Sequence, residues 1–167
     1  MTVIGLDPGP VRSAIVALDG LRIVQHDTLP NAEVLRLLSN LGPTFGTLVI
    51  EKIEAMGMTV GAEVFETVFH SGRFAQAWRG PWDRVTRRQV KLHLCGHMRA
   101  KDPNVRQALI DRFSDGQGKE IAIGRAKQPG PLFGIAGDRW SALAVAVTWL
   151  DTCAEPSSRP SVGVSHV

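Results

Sequence analysis

The chain has 167 residues, enough for one domain with a real core, and its 44% hydrophobic and 21% charged residues are those of an ordinary globular protein. No apolar run approaches the ~20 residues of a membrane span, which excludes membrane-embedded function classes, and the start (Met1 to Asp7) lacks the basic stretch expected of a signal peptide. The net charge of +3 hides an asymmetry: residues 84–127 hold eleven Lys/Arg against four Asp/Glu, a net of +7 that leaves −4 on the remainder. Such a basic segment on a mildly acidic body suits a polyanion partner, although a solvated basic face reads the same way.

In chain order, Val3-Ile4-Gly5-Leu6 and Ala14-Ile15-Val16-Ala17-Leu18 are short apolar runs that predict strands, with Asp7-Pro8-Gly9-Pro10 as the turn between them. Asp19-Gly20 suits a tight turn into a third strand over Leu21-Arg22-Ile23-Val24, giving three consecutive antiparallel strands. Asn31 is a candidate cap for a helix with Val34, Leu37, Leu38 and Leu41 on one face, ended by Gly42-Pro43. Thr47-Leu48-Val49-Ile50 predicts a buried strand that ends at Glu51. Residues 59–79 predict a long helix with Val60, Val64, Val68, Gly72 and Ala75 along its inner face, and with Phe65, Phe69 and Phe74 in the core.

A brief strand over Asp83-Arg84-Val85 follows, then a helix capped by Thr86 and broken at Cys95-Gly96. Asp102-Pro103 opens another helix that ends near Phe113. The Gly-, Lys- and Pro-rich stretch 114–137 predicts a long mobile loop, and Asp138 opens a last helix carrying Trp140, Leu143, Ala144, Val147 and Leu150. Cys95 and Cys153 lie far apart in no metal-ligand spacing, so two free thiols in a reduced, cytoplasmic setting are expected. The pattern predicts one mixed-sheet α/β domain over residues 1–153 and a disordered tail over 154–167.

Three acids share a local setting. Asp7 and Glu51 each end a buried strand, and Asp138 stands at the mouth of an apolar helix. Each also has a plain structural use: Asp7 in shaping its turn, Glu51 as a solvated strand end, Asp138 as a helix cap. If the two strands are neighbours, however, the three carboxylates can meet at one edge of the sheet. Close unpaired carboxylates repel each other strongly and make sense where divalent cations neutralise them. Oxygen ligands with retained water suit Mg²⁺ or Mn²⁺. Two such ions about 4 Å apart can activate a water and stabilise the leaving oxygen of a phosphodiester, with Asp7 as the candidate bridging ligand.

The segment Met1 to Gly9 (MTVIGLDPG), the apolar strand Leu48-Val49-Ile50-Glu51, the stretch Thr86-Arg87-Arg88-Gln89-Val90-Lys91 with Gly96 and Ala100-Lys101, and the helix from Asp138 to Ala146 together resemble the RuvC-type Holliday junction resolvases. The resemblance spans residues 1–151. It implies an RNase H-like mixed five-stranded sheet flanked by helices, and a hydrolase that nicks four-way junctions in DNA recombination and repair. It also implies catalytic, metal-binding carboxylates at Asp7, Glu51 and Asp138, holding two Mg²⁺ or Mn²⁺ ions. Residues 57–67 and 129–134 resemble the phage-encoded branch, which implies the host cytoplasm as the site of action. One departure stands out: the family's last helix carries a second metal-binding acid three residues after the first, and here that residue is Ser141. This implies weaker metal binding, a water in that place, or another acid as substitute, for which Glu54 is better placed than Asp151, roughly 20 Å along the helix.

Arg87, Arg88, Lys91, Arg99 and Lys101 are the expected DNA-binding residues, giving salt-dependent contacts to phosphates. Lys91 and Lys101 match the family's junction-binding lysines to within one residue, which makes Lys91 a catalytic candidate beside the scissile phosphate. Met56 and Met58 occupy the loop where the resembled proteins insert a wedge into the junction, or else pack in the core. His93 and His97 stand four apart but across Gly96, more suited to phosphate or solvent than to a metal. A junction with two-fold symmetry implies a homodimer, with the helix over 59–79 as a candidate interface. A junction-binding protein with little catalysis, and a broader flap or fork nuclease, are the alternatives.

Overall fold

A computed structural model of the chain describes residues 1–55, 57 and 59–154. β1 (Thr2–Asp7), β2 (Arg12–Asp19) and β3 (Arg22–Pro30) form the expected antiparallel meander. The second hairpin turns through Gly20, whose φ of 59° suits a residue without a side chain. α1 (Asn31–Asn40) leads to β4 (Thr47–Lys52), parallel to β1, and α2 (Ala62–Ala77) leads to β5 (Trp82–Thr86), parallel to β4. The sheet order β3-β2-β1-β4-β5 puts β1 at the centre. The chain continues through α3 (Arg87–Cys95), α4 (Asp102–Phe113), the short α5 (Lys119–Ile123), a hairpin of β6 (Gly124–Arg125) and β7 (Gln128–Pro129), and α6 (Arg139–Ala154). No helix among the described residues is long and apolar enough to cross a membrane.

Strand side chains alternate between faces, and that period sorts the core into two layers. Ile4, Leu6, Leu48 and Ile50 pack against α1 and α2 with Leu38, Phe74 and Trp78. Val3, Val49 and Val85 pack on the opposite face, against α6 and the α3–α4 pair. Asp7 and Glu51 continue the second series. The carboxylates therefore emerge on the α6 side of the sheet.

α6 approaches this face very closely. A Cβ on Gly5 would lie 2.1 Å from the Ala142 carbonyl oxygen and 2.9 Å from the Ala146 Cβ. Only glycine fits there. Gly5 is two residues before Asp7, and Ala142 is four residues after Asp138, so this contact sets the distance between the central strand and the start of α6.

Four expectations are corrected. Asn31 is not a helix cap: it is the first residue of α1, and its buried side chain accepts from Ser13 Oγ (2.7 Å) and donates to the Gly9 carbonyl (3.0 Å). The Gly9 N–H in turn donates to Ser13 Oγ (3.1 Å), so this network holds the turn that follows Asp7. On α2 the buried residues are Thr67 and Phe74, while Phe65, Val68 and Phe69 face outward, 66%, 50% and 60% exposed. Residues 114–137 are ordered, because Ala122, Leu132 and Ile135 bury themselves in the core. Finally, α6 has no single apolar face: Ala142 to Val147 are all fully buried, enclosed by the sheet on one side and α3 and α4 on the other. The expected tail, residues 155–167 of it, lies outside the described residues.

Replacing Gly5 by Ala is expected to destabilise the protein by about 1–3 kcal/mol, since the added methyl must push α6 off β1. Urea unfolding of the two proteins checks this. Equal midpoints would show that α6 can shift freely.

Candidate active site

Leu6 of β1 pairs with Ile50 of β4, so Asp7 and Glu51 follow at the same height on neighbouring parallel strands, whose backbones run about 4.8 Å apart. Glu51 is buried, 8% exposed, and Asp7 is partly buried. Asp138 stands exposed just ahead of α6, its carbonyl accepting from the N–H groups of Ser141 (3.0 Å) and Ala142 (3.1 Å). It thus occupies the position that precedes the first residue of α6, Arg139. Ser141 lies one turn further, at the edge of the same corner.

The electrostatics show that the acids sense each other. Burial, then the charges of Glu51 and Asp138, push the Asp7 carboxyl up from 3.8 to about 8, against the opposing pull of Arg87 and the Ser141 hydroxyl. Burial raises Glu51 as well, and Asp102 adds to this, while Arg87, a hydrogen bond with Asp7 and the charge of Lys91 pull the other way. Burial alone would lower the Arg87 guanidinium, but Glu51, Asp102 and Asp7 outweigh it and hold Arg87 above its ordinary value.

Arg87 is the first residue of α3, directly after β5, and a capping box of Thr86 and Gln89 fixes its backbone. Its Nη1 lies 3.2 Å from Ser141 Oγ and 4.0 Å from Glu51 Oε2, while Nη2 lies 2.5 Å from Asp102 Oδ1. The side chain forms a wall between two clefts. One, of about 330 Å³, is lined by Arg87, Asp102, Arg106, Asp138, Trp140 and Ser141, with the Arg106 guanidinium 4.7 Å from the Trp140 ring. The other, of about 280 Å³, is lined by Glu51, Glu54, Arg87, Arg88 and Lys91 among others.

The structure therefore brings together Asp7, Glu51, Asp138, Arg87, Arg88 and Lys91. Arg99 and Lys101 are exposed nearby in the chain, Lys101 at the N-cap of α4. Met56 and Met58 lie outside the described residues. Glu54 pairs with Lys52 (3.5 Å) and is not among the groups that shift Asp7. Asp151 is held at the far end of α6 by Arg112 (2.6 and 2.7 Å) and His93 (2.6 Å), which ties α3, α4 and α6 together. Sequence reasoning missed Asp102 and the inward turn of Arg87. The available signal was the acid Asp102 at a helix start inside a basic segment, a place where it is stabilised by the helix dipole.

Among the described residues no group of three or more His, Cys, Asp or Glu side chains is gathered closely enough to enclose an ion. The donors nonetheless fit a hard divalent cation by type, being oxygens only, and by setting, since burial raises both Asp7 and Glu51 and the charges of Glu51 and Asp138 raise Asp7 further, which a cation would relieve. The fit is one of chemistry, without a preformed cage.

No protein-family model and no curated protein matches the chain. Solved structures do. The structure of Thermus thermophilus RuvC aligns with a TM-score of 0.62 at 18% identity, and that of T. thermophilus RuvC in complex with Holliday junction substrate with a TM-score of 0.63 at 17% identity. Each alignment covers 92% of this chain and 96% of the other. The likeness establishes the RNase H-like α/β fold that the mixed five-stranded sheet and its flanking helices display.

A carboxyl raised from 3.8 to about 8 keeps its proton in the folded protein where the unfolded chain has lost it, so stability is present below pH 4 and drains away as pH rises toward 8. In chelator, the melting temperature is expected to fall between pH 5 and pH 8, and Asp7→Asn to flatten this slope and raise stability at pH 8. Parallel pH–stability curves for the two proteins would contradict it.

Proposed function

We propose that the chain is a divalent-metal-dependent endodeoxyribonuclease that resolves four-way DNA junctions by paired nicks in opposed strands. The observation that carries this reading is the placing of Asp7 and Glu51 at the ends of neighbouring strands, both raised by burial, with Glu51 lining a cleft walled by Arg87, Arg88 and Lys91. Acids alone would repel DNA and basic residues alone would only hold it. Their juxtaposition suits cleavage of a phosphodiester. The shared fold with a protein solved on Holliday junction DNA supports branched DNA as the substrate class. Residues 57–67 and 129–134 favour the phage-encoded branch, acting in the host cytoplasm.

In this reading Asp7, Glu51 and Asp138 would hold Mg²⁺ or Mn²⁺, two ions per site, which supply charge for the attacking and leaving oxygens of the phosphodiester. Arg88, Arg99 and Lys101 grip the backbone without reading sequence. Lys91, half-buried and close enough to lower Glu51, contributes positive charge beside the scissile phosphate. Paired nicking calls for a homodimer, and the outward Phe65, Val68 and Phe69 of α2, with the half-exposed Trp82 on β5, offer the apolar surface for it.

Ser141 and the open arrangement of the acids favour a second reading, a junction binder with weak or no catalysis. Incubating a labelled four-way junction, a flap and a linear duplex across Mg²⁺ and Mn²⁺ concentrations separates the two, since only the nuclease makes products. A broader flap or fork nuclease would cut the flap as fast as the junction.

Asp7→Asn is expected to reduce junction cleavage by about a thousandfold or more while leaving junction binding intact, because it removes charge from the centre of the site and none from the basic walls. Undiminished cleavage by this variant would remove Asp7 from the catalytic assignment. Phe65→Glu with Phe69→Glu is expected to give a monomer in analytical ultracentrifugation that nicks single strands without pairing the cuts. A stable dimer carrying both changes would point to another interface.

A further inference from the structure

Asp7 and Glu51 stand side by side at this corner, with Asp138 near enough for its charge to raise Asp7, and the positive group beside them belongs to the protein itself. We propose that Arg87 is a resident counter-ion that competes with the divalent cation for Asp7 and Glu51, and that Asp102 is the residue that holds the guanidinium aside when the cation binds. The inference rests on the nuclease reading above and makes Arg87 and Asp102 positioning residues.

The contacts of the guanidinium are unequal. Its outer nitrogen, Nη2, makes a short charge-assisted bond to Asp102 (2.5 Å), whereas its inner nitrogen, Nη1, has only the neutral Ser141 hydroxyl (3.2 Å) and a long ion pair to Glu51 (4.0 Å). The inner end is the one that can yield. Asp102 is 73% exposed, with solvent around it to receive a moved side chain. The backbone of Arg87 is fixed by the Thr86–Gln89 capping box, which confines the motion to side-chain torsions. A guanidinium does not lose its proton at any accessible pH, so a cation that binds the acids competes with a permanent positive charge. Two charges on one small ion attract Asp7 and Glu51 more strongly than the single spread charge of Arg87, and they repel Arg87 toward Asp102. The apparent affinity for the cation is then its intrinsic affinity reduced by the fraction of molecules in which Arg87 is already drawn in.

The test is calorimetric titration of the full chain with MnCl₂, together with melting temperatures in chelator and in Mn²⁺, for wild type, Arg87→Gln, Arg87→Lys, Asp102→Asn and Asp7→Asn. Arg87→Gln is expected to tighten Mn²⁺ binding about tenfold and to melt lower in chelator, with a larger rise on adding Mn²⁺ than wild type shows. Arg87→Lys, which keeps the charge, should stay within about threefold of wild type, and Asp102→Asn should weaken Mn²⁺ binding about threefold or more, because the displaced guanidinium loses its resting place. Asp102→Asn leaves Arg87 untouched, so it decides the matter even if Arg87→Gln fails to fold. Mn²⁺ binding that Asp7→Asn abolishes, but that Arg87→Gln leaves unchanged or Asp102→Asn strengthens, overturns the counter-ion role and leaves the nuclease reading standing. No Mn²⁺ binding by wild type or by Arg87→Gln overturns both.

Discussion

The close seating of α6 on β1 across Gly5 decides where everything else at the corner can stand. Ala142 and Ala146 are small, Gly5 has no side chain, and the helix backbone comes nearly to contact with the strand. A bulkier residue at any of these positions would lift α6 and carry Asp138 and Ser141 away from Asp7. The polar network of Asn31, Ser13 and Gly9 fixes the other side, holding the turn that leaves Asp7. The chain thus spends small residues and buried hydrogen bonds near its centre to define the position of one carboxylate.

Burying that carboxylate beside a second one is unfavourable, and the surroundings show how the cost is offset. Arg87 reaches in from α3, Lys91 adds charge one turn later, and Asp7 shares a hydrogen bond with Glu51. Even so, Asp7 is left far above an ordinary carboxylate. The proposed cation would supply the positive charge that the chain itself does not. A structural ion pair of the same residues would have been closed, as Asp151 is by Arg112 and His93 on the same helix. Within one molecule, the acid closed by short ion pairs and the acids with a long one stand toward opposite ends of α6.

Much of this was legible in the amino-acid sequence because two periodicities are strong. The alternation in β1 and β4 that buries Val3 and Val49 also aims Asp7 and Glu51, so sheet and carboxylates could be read together. The exact face of α2 could not be. Phe65, Val68 and Phe69 form an apolar stripe as regular as the inner one of Thr67, Phe74 and Trp78, and a monomer's sequence does not say which stripe its own sheet covers. The order in residues 114–137 was hidden for another reason. Its few buried side chains, Ala122, Leu132 and Ile135, are scattered among glycines and prolines, and what fixes the segment is tertiary contact with α6 and α4. Asp102 escaped notice because a lone acid in a basic stretch reads as a helix start, and it is that as well.

Seen as a whole, the charge distribution has two layers with different jobs. The exposed cations of α3 and of the segment before α4 face solvent, where screening makes each weak and their sum a matter of affinity. Arg87 belongs to the same helix but points into the sheet corner, where fewer waters screen it and its charge pulls both Asp7 and Glu51 down. Residue type alone does not distinguish Arg87 from Arg88, and the turn of α3 does. The first residue of the helix continues the inward face of β5 after Val85, whereas the next has already rotated toward solvent. One step along the chain separates a cation turned to solvent from one held between Glu51 and Asp102.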